Sequence, residues 1–234
     1  MPIAANGYRT RDVRLELDSR ALRARLPVRL WSSRSDGRGP RPLLLVHDGT
    51  DYVRRAALLR LLERTTPVRA ALVEPVEREE HYAASSAYTR ALVQELLPAF
   101  DAGGPRVGLG SSLGALALLH AHRAAPDSFD ALFLQSGSFF RRATDAQERS
   151  FPRFRRIDRF VRALLDEDDA ATRTIPVTIT CGREENLENN RAVAAALERQ
   201  GYDVRFHEHR GGHAWPAWKR ALDPHLEELL CRVT

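Results

Sequence analysis

The feature that most constrains this chain is a rhythm in which strand-like runs recur with helical spacing between them. The runs lie at 43–46, 68–73, 107–110, 131–134, 177–180 and 204–208. Several, such as Leu43-Leu44-Leu45-Val46 and Ala131-Leu132-Phe133-Leu134, are unbroken apolar stretches. A strand covered by helices on both faces has no solvent side, so it shows no polar alternation. Helical spacing is read over 52–63, 84–100, the stretch from Leu113 to His122, a segment from about Phe154, 189–199, and a last helix near Pro216. Proline suits a first helical turn because its missing N–H has no partner there anyway. Two earlier segments, 13–17 and 22–30, alternate apolar and polar residues, as half-exposed antiparallel strands do. A turn-rich stretch, 32–42, follows them. The expected fold is therefore α/β, with a mainly parallel sheet, antiparallel N-terminal edge strands and helices on both faces. At 234 residues and 43% hydrophobic content, one domain over 1–234 is expected, with 1–40 supplying the edge strands.

The strongest chemical signal is Gly110-Ser111-Ser112-Leu113-Gly114. It lies between a strand-like run and a helix-like run, the setting in which G-x-S-x-G forms a nucleophile elbow. Larger flanking side chains would collide with the tight turn or cover the hydroxyl. A serine hydroxyl is a weak nucleophile at neutral pH, so it needs a base, and the base needs a carboxylate to orient it. In open α/β sheets such groups gather beyond the carboxyl ends of strands. Glu184 and Glu185 follow the run 177–180, and His213 follows the last strand behind Gly211-Gly212, with Trp215 and Trp218 supplying apolar bulk. Ser, then acid, then His is the chain order of α/β-hydrolases. Spacing does not decide between Glu184 and Glu185; the one that does not face His213 is expected at a helix N-terminus. The oxyanion hole is expected from the backbone N–H of Leu113 and from Gly49 or Thr50, in the loop after 43–46.

Composition narrows the classes. The formal net charge is +5, yet Lys219 is the sole lysine among 36 basic residues. Arginine spread along the whole chain, without a basic helix or an aromatic–basic module, argues for codon bias over phosphate binding, so no nucleic-acid partner is expected. Cys181 and Cys231 form no disulfide framework. No stretch approaches the ~20 apolar residues that cross a bilayer, and the first ten lack a signal-peptide core, so a cytoplasmic protein without membrane contact is expected. His207 and His209 share a strand face near His213, but no further ligand has convincing spacing, so no metal and no cofactor are expected.

With these residues assembled, the chain resembles the enterochelin (ferric siderophore) esterase family, also called esterase D-like. The resemblance runs from Pro42 to about Leu230 and rests on residues 44–49, 108–114, 134–140 (Leu-Gln-Ser-Gly-Ser-Phe-Phe), 181–186 and 211–215. It implies an α/β-hydrolase fold and carboxylic ester hydrolysis, with Ser112 and His213 as its clearest members. Arg78, Glu80 and Tyr82 resemble a further family motif that shapes the pocket. The separate N-terminal β-domain of larger members has no counterpart in the roughly forty residues before the first core strand.

Arg141 and Arg142 open an arginine-dense segment interleaved with Phe139, Phe140, Phe151 and Phe154. Guanidinium groups and aromatic rings suit an anionic aromatic ligand such as an iron-bound catecholate. A solvated helix face is the plainer reading of the same pattern. Phe139, Phe140, Arg141, Arg142 and Trp215 join Arg78 and Tyr82 as expected substrate contacts. The expected partner is a small-molecule ester, with a trilactone siderophore implied by the resemblance. Acyl transfer to an acceptor other than water, as in mycolyltransferases, and a non-catalytic binding role are the alternatives. The sequence is silent on oligomeric state.

Overall fold

A computed structural model describes residues 12–34, 41–101 and 103–234; the first ten residues and most of the turn-rich stretch lie outside it. Eight strands form one sheet in the order β1-β2-β4-β3-β5-β6-β7-β8. The strands are β1 Asp12–Ser19, β2 Ala24–Ser32, β3 Leu43–His47, β4 Arg69–Val73, β5 Arg106–Ser111, β6 Ala131–Gln135, β7 Pro176–Gly182 and β8 Asp203–His209. β1 pairs antiparallel with β2, and β2 antiparallel with β4. Every other pairing is parallel. The alternating segments are thus the antiparallel edge, and β1 alternates exposed and half-buried residues as expected.

Successive strand residues point to opposite faces. Leu43 and Leu45 enter one core with Leu113 to Ala121, Ile157, Val161 and Val193. Leu44 and Val46 enter the other with Tyr52, Leu58, Leu62, Leu226 and Leu229. Helices therefore cover both faces, and the central strands are buried along their length. No helix among the described residues is long and apolar enough to cross a membrane.

Three helices depart from the sequence reading, each for a local reason. The helix expected over 52–63 is two, α1 Gly49–Arg55 and α2 Leu58–Leu62, broken where Ala57 takes a left-handed φ of 54°. Short α3 Arg78–Tyr82 follows β4. The helix expected from residue 84 starts later, as α4 Ser86–Ala91, because Ser85 caps it by accepting the Tyr88 N–H. It then widens into a π turn at Leu92–Leu96 before α5 Leu97–Phe100. Pro98 cannot donate to the preceding turn, so regular α-helix is interrupted there. α6 Leu113–Ala124, α7 Phe154–Asp166 and α8 Leu187–Arg199 match expectation. The last helix divides at Pro224 into α9 Trp215–Leu222 and α10 His225–Cys231.

Candidate active site

The turn from β5 into α6 forces Ser112 to φ 56° and ψ −124°, a conformation L-residues rarely adopt. Strain of this kind costs on the order of 1–3 kcal/mol and persists only where the surroundings impose it. Here they do. The Ser112 N–H donates to the Gln135 carbonyl at 2.9 Å, and its carbonyl accepts from Leu116 and Ser138, each at 3.2 Å. Close approach requires a glycine at 110 and leaves little room at 114. A Cβ on Gly110 would lie 2.6 Å from the Gly114 carbonyl carbon, and one on Gly114 would lie 3.1 Å from the His47 Cβ. Gln135 is itself locked, accepting from the Tyr52 hydroxyl and donating to the Trp218 carbonyl, both at 2.9 Å.

Beyond the carboxyl ends of β5, β7 and β8, three side chains form a chain of hydrogen bonds. Ser112 Oγ lies 2.9 Å from His213 Nε2, and His213 Nδ1 lies 2.7 Å from a Glu185 carboxylate oxygen. The carboxylate accepts from Nδ1–H, which leaves the Nε2 lone pair free to take the Ser112 proton. Glu185 is the carboxylate of this hydrogen-bonded chain; Glu184 is exposed, and among the described residues His213 Nδ1 pairs with Glu185. Nor does Glu184 sit in a helical first turn, since α8 begins at Leu187 and its first-turn acid is Glu188. The other Glu185 oxygen accepts from the Ser136 hydroxyl and the Gly182 N–H, each at 2.7 Å. Burial alone would raise the Glu185 pKa, but hydrogen bonds from His213, Ser136 and Gly182 together hold it below the ordinary carboxylate value. Trp218 donates to Ser136 at 2.9 Å and meets the His213 ring edge-on, with centroids 4.9 Å apart.

Beneath the site, His47 is fully buried and its pKa is pushed down to about 4 by desolvation. Being neutral, it donates through one ring nitrogen and accepts through the other. Nδ1 donates to the Gly114 carbonyl at 2.9 Å, so Nε2 accepts from the Tyr88 hydroxyl at 2.8 Å. Asp48 binds Arg78 through both carboxylate oxygens, with contacts of 2.8 to 3.1 Å. Leu113 opens α6, so its N–H has no carbonyl behind it in the helix and faces the turn at Ser112. The two other expected oxyanion donors separate here. The Thr50 N–H is taken by the Glu74 carboxylate, whereas Gly49 opens α1 with no such partner.

Ser112, Leu113, His213 and Glu185 line a cleft of about 820 Å³ together with Arg78, Ser138 and Phe140. Other expected contacts lie elsewhere. Tyr82 is fully buried and stacks on His47 with centroids 4.4 Å apart, and Phe139 is fully buried in the core. Arg141 and Arg142 are outside the cleft wall; their backbone N–H groups anchor the loop to Asp145 and Asp158. Trp215 packs edge-on against Tyr52 and Trp218, supporting the His213 loop from behind. His207 faces away from the triad, stacked on His225 at 3.7 Å and 11° beside Glu228. With Glu228 they offer ligand atoms that lie within 4.8 Å of one another, a grouping able to hold a metal ion that spacing along the chain did not announce.

Two residues of the site carried no individual sequence signal. Ser138 places its Oγ 2.9 Å from Ser112 Oγ, and its only trace was a motif of resemblance. Asn190, inside α8, receives the Gly137 N–H and donates to the Gly137 carbonyl, fixing the turn that carries Ser136 and Ser138. A mid-helix asparagine has no pattern that announces such a contact.

Comparison with known proteins bears on the fold and the family. The structure superimposes on the enterobactin esterase of Shigella flexneri, solved in the presence of enterobactin, with a TM-score of 0.79 at 19% identity. That match covers 97% of this chain but 61% of the other, so this chain spans about three fifths of its length. Fluorophosphonate-binding serine hydrolase F of Staphylococcus aureus matches with a TM-score of 0.69 at 16% identity, over 94% of this chain and 98% of that one. The uncharacterized protein YjcH of Bacillus subtilis (strain 168) is 24% identical over 209 residues, 80% of this chain and 84% of its own. The model of the family described as Putative esterase matches residues 19–229, which include Ser112, Glu185 and His213. The chain belongs to this esterase family, on an α/β-hydrolase fold.

Proposed function

We propose that the protein hydrolyses small carboxylic esters through an acyl-enzyme on Ser112. The observation that carries this is the unbroken run from Ser112 Oγ through His213 to Glu185, at 2.9 and 2.7 Å. His213 Nε2 removes the hydroxyl proton as Oγ attacks the ester carbonyl carbon. Glu185 stabilises the imidazolium that forms and holds its tautomer. Negative charge on the carbonyl oxygen is met by the Leu113 N–H and by the Gly49 N–H. The intermediate collapses, the C–O bond to the leaving alcohol breaks, and His213 returns the proton to that alcohol. Water then repeats the sequence, releasing the acid and restoring Ser112.

A ferric catecholate trilactone enters as a substrate by likeness to the enterobactin esterase. That reading looked for guanidinium groups at the ester, and Arg141 and Arg142 stand outside the cleft wall. The trilactone therefore belongs in the substrate panel beside simpler esters.

The test is hydrolysis of p-nitrophenyl acetate and butyrate by wild type and Ser112→Ala, with intact-mass detection of a fluorophosphonate adduct. Wild type should turn over both esters and label once at Ser112; the variant should lose at least ~10⁴-fold in kcat and all labelling. Equal rates in the two proteins would end the proposal.

A further inference from the structure

The last strand and the last helix bring two imidazoles and a carboxylate together, away from the triad. His207 lies on β8, the end strand of the sheet opposite β1. Val204 and Phe206 pack on the core of one face, so His207, one residue on, points to the other, where α10 lies. Leu226, Leu229 and Leu230, all fully buried, anchor α10 there. His225 and Glu228 stand three apart on this helix, on one face of it, and meet His207. A ring nitrogen from each histidine and a Glu228 oxygen all lie within 4.8 Å of one another.

Zinc holds tetrahedral nitrogen and oxygen ligands at about 2.1 Å, which sets neighbouring ligand atoms about 3.4 Å apart. His225 Nδ1 and Glu228 Oε2 already stand 3.3 Å apart, and the two rings stack with centroids 3.7 Å apart. A small splay of the rings turns their lone pairs from parallel to convergent. His207 Nε2 is buried with no hydrogen-bond partner, so nothing among the described residues offsets its desolvation. Arg205 Nη1 reaches Glu228 Oε2 only at 3.9 Å, beyond hydrogen-bond range, and leaves that oxygen available.

The structure assigns His207, His225 and Glu228 to one site for a divalent ion of the zinc class, with water as the fourth ligand. Imidazole favours zinc and its transition-metal neighbours, whereas Mg2+ and Ca2+ take oxygen shells. The ion ties α10 to the end strand. Its role is structural, since none of the three residues lines the cleft that holds Ser112.

The experiment strips untagged full-length protein with EDTA, dialyses it into chelator-free buffer and titrates it with ZnCl2 by calorimetry. Wild type should bind one zinc ion tighter than about 0.1 mM. At roughly a hundredfold excess over Kd, zinc should raise Tm by about 5 °C or more, because it binds only the folded chain. MgCl2 and CaCl2 should leave Tm unchanged. His207→Ala and Glu228→Ala should each weaken zinc binding more than about tenfold, the least that even a lost outer-shell partner costs. His209→Ala, two residues along the same strand, should bind as wild type does. Co2+ in place of zinc should give the visible absorption of a tetrahedral site in wild type and in His209→Ala alone. Tm of each variant in EDTA checks that it folds; the Glu228 side chain is 41% exposed, so its replacement keeps the test decisive if His207→Ala does not fold. Wild-type binding weaker than about 0.1 mM, or zinc binding that survives either ligand substitution, would overturn the assignment.

Discussion

Two neighbouring surfaces of this molecule have opposite chemistry. The catalytic cleft is walled by carboxylates, while a depression beside it is lined by Arg149, Arg153, Arg155, Arg156 and Arg159. Phe151 lines both, so the two meet at a single ring. The phenylalanines of this segment pack on one another between the two surfaces: Phe140 meets Phe151 and Phe154, at centroid separations of 6.0 and 6.3 Å. The arginines turn outward to solvent or to Glu80, which receives Arg153 and Arg156. Residues interleaved in sequence are thus sorted by burial into different surfaces. Adjacency along the chain does not make a shared site.

The cleft's carboxylates are themselves unequal, and the largest expected effect tests that. Glu185→Gln should lower kcat on a neutral ester by about 10²–10⁴-fold, because the amide no longer stabilises the imidazolium or fixes its tautomer. Glu184→Gln, measured on the same neutral ester, should cost less than about tenfold. Reversed magnitudes would reassign the acid.

Acid pH separates the two surfaces a second way. His47 beneath the cleft is neutral in the fold, with its pKa lowered by burial from 6.5 to about 4. The unfolded chain therefore takes up this proton first as pH falls. Stability from this group is whole above about pH 6.5 and is lost progressively down to pH 4, by about 3 kcal/mol in all. His120 and His122, also displaced to about 4 by burial, deepen the same loss. Glu185, whose pKa is held below 4.5, adds a separate loss that begins near 4.5, where the unfolded carboxyl takes up its proton. Urea midpoints at pH 8, 6, 5 and 4.5 report this; a flat series between 6.5 and 4.5 would contradict a buried neutral His47.

The smallest effect belongs to the outer face. Arg155→Gln with Arg159→Gln should leave kcat/KM for a neutral ester within about twofold, since surface substitutions away from a site change little. A tenfold loss would show that the arginine depression extends the substrate site.

Much of this architecture was legible in the chain. Short apolar runs alternating with helical spacing read as strands buried on both faces, and the alternating edge segments as half-exposed ones, so the layers and the mainly parallel sheet were legible, though strand order was not. The elbow was legible too, because only glycine fits where Gly110 meets the Gly114 backbone, and Gly114 packs tightly on His47. Helix ends were less so. The break at Ala57 and the π turn at 92–96 answer to tertiary packing around them as well as to local preference.

By itself the sequence determined the class of fold and singled out Ser112 and His213 as the proposed nucleophile and base, since the elbow is a pattern that local sterics impose and the histidine follows the last strand. Only the tertiary structure decided between Glu184 and Glu185, because neighbouring side chains diverge and the choice rests on where Ser136, Gly182 and His213 converge. It likewise engaged Thr50 with Glu74, buried Tyr82 and Phe139, and drew Ser138 beside Ser112. Those outcomes depend on contacts between residues far apart in the chain, and spacing along a sequence carries no record of them.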